Sequence, residues 1–274
     1  SIAEEGDGVD AVPLFCDGSG TCPHDPDPAK DSNVSALAAA VVQHGADFGF
    51  ATDGDGDRGR PVGPRGDLFG PDQVLAFFAR DCLRTHPGAA VVAEVKTSML
   101  VQEEVVGLGG TFHMAPVGHA NLKRVAAQTE AVLWGEASWH MGFAGWFDDA
   151  LYTLAQTIGI LSSADQSLSH MLADIPTHPI TPVTSVRVES ADEVEPIMAA
   201  VCREVKGGAW DSVLDIDGVR FGWADAWALI RPSRTELGTL TLRAEGRNEA
   251  LLNRMKGEVE RLLAAFPAVT PIAW

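Results

Sequence analysis

The sequence predicts an α/β protein: mixed α/β domains with mainly parallel strands, followed by a separate α+β module. Three observations carry that expectation. Helical patterns alternate with short apolar runs between residues 34 and 162. An acidic loop with glycine spacing, Asp53-Gly54-Asp55-Gly56-Asp57-Arg58, directly follows one of those runs, at the kind of strand end where α/β proteins place ligands. Around Pro179 and Pro182 the rhythm changes to a strand, a helix, three strand candidates and a closing helix.

Residues 1–32 hold Asp17-Gly18-Ser19-Gly20 and then Pro23, Pro26 and Pro28, too many breakers for a helix. Residues 9–15 are the one strand candidate there. An alanine-rich helix runs over 34–43 and stops at His44-Gly45. The apolar run 46–51 is the strand that delivers the aspartate loop. Pro71 and Asp72 open a helix closed by His86-Pro87-Gly88, and residues 89–95 form a continuous apolar strand ending at Lys96. Helices over 100–108 and 120–129 then alternate with strands over 112–117 and 131–134. A long amphipathic helix covers 148–162. The last third holds a strand over 183–188, a helical stretch to Val205, strand candidates over 213–219, 227–230 and 239–244, and a helix over 249–266. The expected division is 1–67, 68–179 and 180–274, with no internal repeat.

Bulk composition excludes several functions. With 46% hydrophobic residues over 274 positions the chain has material for packed cores and for more than one domain. A net charge of −18 argues against nucleic acid or an anionic membrane as partner, since both select basic surfaces. It leaves a small phosphorylated ligand open, because such a ligand feels a local pocket. Four scattered cysteines, Cys16, Cys22, Cys82 and Cys202, make no disulfide framework and fit a reducing cytoplasm. Cys16, Cys22 and His24 match no common zinc spacing. Neither a signal peptide nor an apolar run of membrane-spanning length is visible.

The chemistry concentrates in short polar clusters. Asp53, Asp55 and Asp57 alternate with glycines, which suits a tight loop around a hard divalent cation; Arg58 puts a fixed cation beside it. An EF-hand is excluded, since its required glycine and glutamate positions hold Arg58 and Pro64; a solvated acidic turn is the plain alternative. Lys96 ends an apolar strand, either at a site or as a snorkelling surface lysine. His119 follows Val117-Gly118 at a strand-to-helix turn, with Lys123 one helical turn further on the same face. Glu136, Ser138 and His140 offer an acceptor, a hydroxyl and an imidazole within five residues, an inventory suited to sugar hydroxyls. Arg231, Ser233 and Thr235 sit in a turn that can cradle phosphate, or simply make a polar hairpin.

Taken in order, these pieces resemble one family. DGDGDR at 53–58, Glu94-Val95-Lys96, Pro116-Val117-Gly118-His119 with Lys123, GEASWH at 135–140, Phe147-Asp148-Asp149-Ala150-Leu151-Tyr152 and RPSRT at 231–235 are similar to the signatures of the α-D-phosphohexomutases, most closely the bacterial phosphomannomutase/phosphoglucomutase branch. Pro23-His24-Asp25-Pro26-Asp27-Pro28 resembles its proline-rich stretch. The resemblance implies domains of the phosphohexomutase type and a C-terminal TBP-like α+β domain. It implies an isomerase that interconverts hexose 1-phosphate and hexose 6-phosphate, mannose or glucose, through a sugar 1,6-bisphosphate, with phosphoglucosamine mutase as the near alternative. By the same resemblance Asp53, Asp55 and Asp57 hold one Mg2+, Arg58 meets a phosphoserine, Lys96 and His119 serve the reacting end, Glu136, Ser138 and His140 hold the sugar, and Arg231, Ser233 and Thr235 grip the other phosphate.

Departures from that pattern are equally visible. No serine loop of the Thr-Ala-Ser-His-Asn-Pro kind occurs in the 274 residues, so the expectation is that the serine-bearing first domain, or a full-length chain, is the missing partner. The alternative is a non-catalytic phosphosugar- or Mg2+-binding homologue. Trp139 stands at a family glycine, where a side chain would narrow the sugar pocket or clash if the backbone needs positive φ. The connection 141–146 is short. Arg234 replaces a glycine or asparagine in the phosphate loop, with either an added phosphate contact or a disturbed turn as the result, and Leu237 replaces a common proline.

Overall fold

The structure, a computed structural model, describes residues 8–16, 24–144 and 147–274. The chain divides into two compact units, residues 1–69 with 149–170, and residues 70–148 with 171–274.

The first unit opens with an extended segment. The strand expected over residues 9–15 does not form: Val12, Leu14 and Phe15 are exposed, and among the described residues no strand pairs with them. Residues 17–23, with Cys22 and the Asp17-Gly18-Ser19-Gly20 stretch, lie outside the described residues. Helix α1 (Asp31–His44) buries Val34 and Val41 and ends at Gly45, whose N–H reaches the Val41 and Val42 carbonyls from a left-handed φ of 61°. Strands β1 (Gly49–Thr52) and β2 (Gly59–Val62) pair antiparallel, with Thr52 opposite Gly59. The aspartate loop therefore sits at the C-terminal end of β1, as expected, and closes a hairpin with β2.

In the second unit, α2 (Pro71–Thr85) starts with Pro at its first turn. It leads to β3 (Ala90–Glu94), α3 (Met99–Gly107), β4 (Thr111–Ala115), α4 (His119–Thr129), β5 (Leu133–Gly135) and β6 (Met141–Phe143). The sheet order is β4-β3-β5-β6; β3 lies parallel to β4 and β5, while β6 runs antiparallel to β5. Every residue of β3 is buried, the reason its sequence reads as a continuous apolar run instead of alternating. Strand β6 went unexpected because three residues carry too little pattern to register. Its Phe143 meets Phe78 of α2 edge-on, ring centroids 5.0 Å apart. Residues 145–146, part of the short connection noted above, lie outside the described residues.

Helix α5 (Ala150–Ser162) returns to the first unit, capped by Asp149, whose carboxylate accepts the Leu151 and Tyr152 N–H groups at 2.7 and 3.0 Å. Helix α6 (Leu168–Ala173) carries the chain back to the second unit. There follow β7 (Thr184–Arg187), a 3-10 turn (Ala191–Glu193), α7 (Val194–Lys206), β8 (Ser212–Leu214), β9 (Val219–Trp223), β10 (Ala226–Pro232), β11 (Thr239–Gly246) and α8 (Glu249–Leu263). The sheet is antiparallel with order β7-β11-β10-β9-β8. The strand expected over 213–219 is two strands, because the chain turns between Leu214 and Val219 with Gly218 at φ 73°.

This sheet has two unlike faces. Val186, Phe221, Ile230, Leu240 and Leu242 pack with Val201, Met255 and Val259 of the helices. On the opposite face Trp227 and Leu229 cluster with Val95 and Met99, and buried charges alternate with them: Arg220, Arg243 and Glu245. Each charged group is hydrogen-bonded, as burial demands. Glu245 accepts from Ser98 Oγ, from Met99 N–H at 2.8 Å and from Trp227 Nε1 at 2.5 Å. Arg220 donates to the Val95 and Thr97 carbonyls at 2.7 Å and lies 3.5 Å over the Trp227 ring. Arg243 donates to the Lys96 carbonyl and to Asp72 Oδ2 at 3.0 Å, while Asp72 Oδ1 takes the Ser98 N–H. The C-terminal strands are thus fastened to the β3–α3 connection by buried polar contacts.

Candidate functional site: an acidic loop, a sugar-type loop and a two-arginine turn

In the first unit, Asp53 organises its own loop. Its Oδ1 accepts the N–H groups of Gly56, Asp57 and Arg58 at 3.0, 3.1 and 3.2 Å, and its Oδ2 accepts Arg58 Nε at 2.5 Å. Burial pushes this carboxyl up, but the Arg58 side chain and the backbone donors outweigh it and hold it below the usual carboxylate range. Gly56 turns the chain at φ 77°, a conformation that would strain a side chain, and its carbonyl accepts the Ala150 N–H at 2.9 Å. Arg58 reaches on to Asp27 Oδ1 at 3.0 Å, so the proline-rich stretch is tied to the loop. One carboxylate oxygen each from Asp53, Asp55 and Asp57 lies within 4.8 Å of the others. Three hard oxygen donors on a pre-ordered loop fit a divalent cation of the Mg2+ or Ca2+ class. Asp53 is buried, while Asp55 is exposed.

In the second unit, the C-terminal ends of β3, β4 and β5 bring the other polar residues together. Gly118, at φ 110°, sits at the start of α4 and donates its N–H to Glu136 Oε1 at 2.8 Å. Glu136 Oε2 accepts Ser138 Oγ at 2.6 Å and faces His140 Nδ1 at 3.2 Å; Ser138 and His140 are 3.0 Å apart. Burial raises the Glu136 carboxyl, but His140 and Ser138 more than offset it and keep it low. Behind it, Glu94 is fully buried; its Oε1 accepts Ala137 N–H at 3.0 Å and Lys96 Nζ at 3.2 Å, and its Oε2 has no hydrogen-bond partner among the described residues. Burial pushes the Glu94 carboxyl up, Lys96 pulling against it and Glu136 adding to it. His119 Nδ1 lies 2.7 Å from Asp148 Oδ2, and Lys123 donates to the other oxygen of the same carboxylate. The His119 and His140 rings are 5.2 Å apart. Lys96, His119, Glu136, Ser138 and His140 thus form one cluster, two imidazoles each anchored on a carboxylate.

Trp139 answers the question its sequence position raised. Its φ is 76°, so the position does need a left-handed backbone, and its side chain is 2% exposed. The indole is buried inside the protein, and the turn is held by Trp139 N–H to Glu136 carbonyl at 3.1 Å.

The third loop joins β10 to β11. Arg231 is 3% exposed and turns Nε and Nη2 to Asp217 at 3.1 and 3.4 Å. Arg234 Nη2 reaches Asp217 Oδ1 at 3.0 Å, and Asp217 Oδ2 also accepts the Val117 N–H at 2.9 Å. The turn itself is intact: Ser233 Oγ accepts the Thr235 and Glu236 N–H groups, with the Thr235 hydroxyl 3.4 Å away. Arg234 therefore does not disturb it. A Cβ on Gly218 would stand 2.4 Å from the Ile230 carbonyl and 2.6 Å from Arg231 Cα; the bare backbone there is what lets Asp217 approach Arg231. Leu237 is 96% exposed.

Three carboxylates escaped assignment from sequence: Glu94, Asp148 and Asp217. Glu94 ends a strand of otherwise apolar residues, a usable signal. Asp148 lay inside a quoted motif, and Asp217 inside an ordinary-looking turn.

Comparison with known proteins agrees with this geometry. Residues 2–63 match the profile described as phosphoglucomutase/phosphomannomutase, alpha/beta/alpha domain II, and residues 70–178 match its domain III. A Pseudomonas putida phosphomannomutase/phosphoglucomutase is 37% identical over 253 residues, 91% of this chain and 54% of that protein. Its Pseudomonas aeruginosa counterpart is 34% identical over 269 residues, 97% of this chain and 58% of that protein. The crystal structure of a phosphoglucomutase/phosphomannomutase family protein from Burkholderia thailandensis superposes with a TM-score of 0.81 at 32% identity, covering 92% of this chain and 54% of that one. This chain accordingly spans little more than half the length of the curated relatives it matches. With profile matches over residues 2–63 and 70–178, 37% identity over 253 residues and the same fold, the chain belongs to the phosphoglucomutase/phosphomannomutase family.

Proposed function

We propose that this chain supplies the metal-binding and sugar-binding parts of a phosphosugar mutase, an isomerase that interconverts hexose 1-phosphate and hexose 6-phosphate through a sugar 1,6-bisphosphate. The observation that carries the reading is the cluster of Lys96, His119, Glu136, Ser138 and His140 in the same unit as the Arg231–Thr235 turn. Phosphoryl transfer asks a protein chiefly for positioning and for positive charge around the phosphate oxygens. Lys96 and His119 are assigned to the reacting end, Glu136, Ser138 and His140 to the sugar hydroxyls, and Arg231, Ser233 and Thr235 to the non-reacting phosphate. In the first unit Asp53, Asp55 and Asp57 are assigned to one Mg2+, which when bound offsets phosphate charge, and Arg58 to a phosphoserine supplied by the serine-bearing part of the mutase. In domain terms the assignment runs 1–67 for the metal-binding domain, 68–179 for the sugar-binding domain and 180–274 for the C-terminal phosphate-binding domain.

Mannose and glucose phosphates are the preferred substrates, given the names of the relatives above. A 31% identical Methanopyrus kandleri protein named probable phosphoglucosamine mutase keeps the amino sugar as the second choice. Among the described residues no helix is long and apolar enough to cross a membrane. The test has two steps. Calorimetry with glucose 1,6-bisphosphate should show binding by this chain alone. Supplying the serine-bearing domain of the Pseudomonas putida relative, fused or in trans, should then give mannose 1-phosphate to mannose 6-phosphate conversion. Binding without turnover, despite a phosphorylated serine, would leave a non-catalytic phosphosugar-binding homologue as the correct reading; absence of binding would overturn both.

A further inference from the structure

Asp217 holds more donors than a buried carboxylate needs. Arg231 supplies two, Val117 N–H one, and Arg234 a fourth. The two arginines are unlike each other. The Arg231 side chain is 4% exposed and fixed between strands, whereas that of Arg234 is 56% exposed at the loop tip. Removing Arg234 from Asp217 leaves neither oxygen unsatisfied: Oδ2 keeps Arg231 Nε and the Val117 N–H, and Oδ1 keeps Arg231 Nη2. The Arg234 end of this pair is open to solvent, which screens its hold on the buried carboxylate. Arg234 is therefore a detachable guanidinium, one residue from Ser233 and Thr235, whose hydroxyls lie 3.4 Å apart in the same turn.

From this placement we infer that Arg234 is a second arm of the phosphate loop, parked on Asp217 and transferred to the ligand's phosphate monoester dianion when one arrives. The inference rests on the phosphosugar reading and adds a residue to it. Arg231 alone meets the ligand already neutralised by Asp217, since one guanidinium and one carboxylate cancel. Arg234 supplies the uncompensated positive charge and a planar donor fork matched to phosphate oxygens. The transfer moves no proton and breaks no bond; only hydrogen bonds are exchanged. It makes the loop selective for a dianion over an uncharged sugar end.

The experiment is calorimetric titration of the chain with glucose 1,6-bisphosphate at two ionic strengths, with Arg234→Asn and Arg234→Lys beside the unsubstituted protein and unphosphorylated glucose as the uncharged control. Thermal melting monitors folding, which an exposed loop-tip substitution should leave unchanged. Arg234→Asn is expected to weaken bisphosphate binding about tenfold and to flatten its dependence on salt. Arg234→Lys, which restores the charge without the fork, should recover about a threefold part of that loss. Binding of glucose, however weak, should not respond. If the unsubstituted chain binds the bisphosphate and Arg234→Asn binds it within twofold, this inference falls and the phosphosugar reading stands. If the unsubstituted chain does not bind, both fall together.

Discussion

Replacing Trp139 by alanine and by glycine sets two opposing effects against each other. The indole is 2% exposed, and truncating a buried aromatic side chain costs about 3–5 kcal/mol, whichever small residue replaces it. The backbone at this position has φ 76°, which costs any L-residue about 1–2 kcal/mol and glycine nothing. Alanine keeps that strain, so Trp139→Ala should lose the full packing contribution. Glycine releases it but adds about 0.5–1 kcal/mol of unfolded-state entropy. The difference leaves Trp139→Gly more stable than Trp139→Ala by roughly 0.5–1 kcal/mol, the reverse of the order found in helices and strands. Urea denaturation followed by circular dichroism measures both, with the slope checked for equality between variants. An alanine variant as stable as the glycine variant would refute the left-handed geometry, and with it the claim that this chain carries backbone strain at Trp139.

Other substitutions separate roles in the same way. Asp55→Asn, at an exposed carboxylate, should abolish the rise in melting temperature on adding Mg2+ while leaving the metal-free melt unchanged. Asp53→Asn should lower the metal-free melt as well, since its oxygens hold three backbone N–H groups and Arg58. Burial raises the Asp148 carboxyl, but Lys123 and His119 depress it further than burial lifts it. The stability it contributes is complete above the unfolded value near about pH 3.9 and is lost as pH falls through that value toward the lower folded one. Asp148→Asn should therefore flatten the acid limb of a stability-against-pH curve below about pH 4. Gly218→Ala combines a left-handed φ of 73° with a Cβ 2.4 Å from a carbonyl oxygen. It should destabilise by about 2–4 kcal/mol, read from urea melts, and weaken bisphosphate binding by displacing Asp217 from Arg231.

How much of this was legible beforehand depends on what kind of signal each part leaves. Helices α2, α4 and α8 announce themselves through long periodic patterns and stop signals, and β3 through an apolar run too continuous for a surface strand. The aspartate loop and GEASWH were readable because unusual residue types recur at short spacing. Hairpin closure of the aspartate loop was not, since a four-residue strand such as β2 reads like any loop. Strand β6 is shorter still. The face of Arg220, Arg243 and Glu245 was invisible for another reason: charges at alternate positions look solvated, and only tertiary pairing shows that they are buried. Asp217 belongs with them, its partners lying 100 residues away at Val117 and beyond the turn at Arg231 and Arg234.

The buried face of the C-terminal sheet has a further consequence for ligand choice. Strand β11 leaves the two-arginine turn at Thr239 and, four residues on, its Arg243 grips the carbonyl of Lys96. Arg220 on β9 grips the carbonyls on either side of that lysine. The two-arginine turn and the lysine proposed for the reacting end thus share one buried polar fastening, so loosening Arg243 or Arg220 is expected to shift both at once. On the phosphosugar proposal, that shared fastening would set the span between the two phosphates of a sugar 1,6-bisphosphate, the same whichever way round the ligand lies.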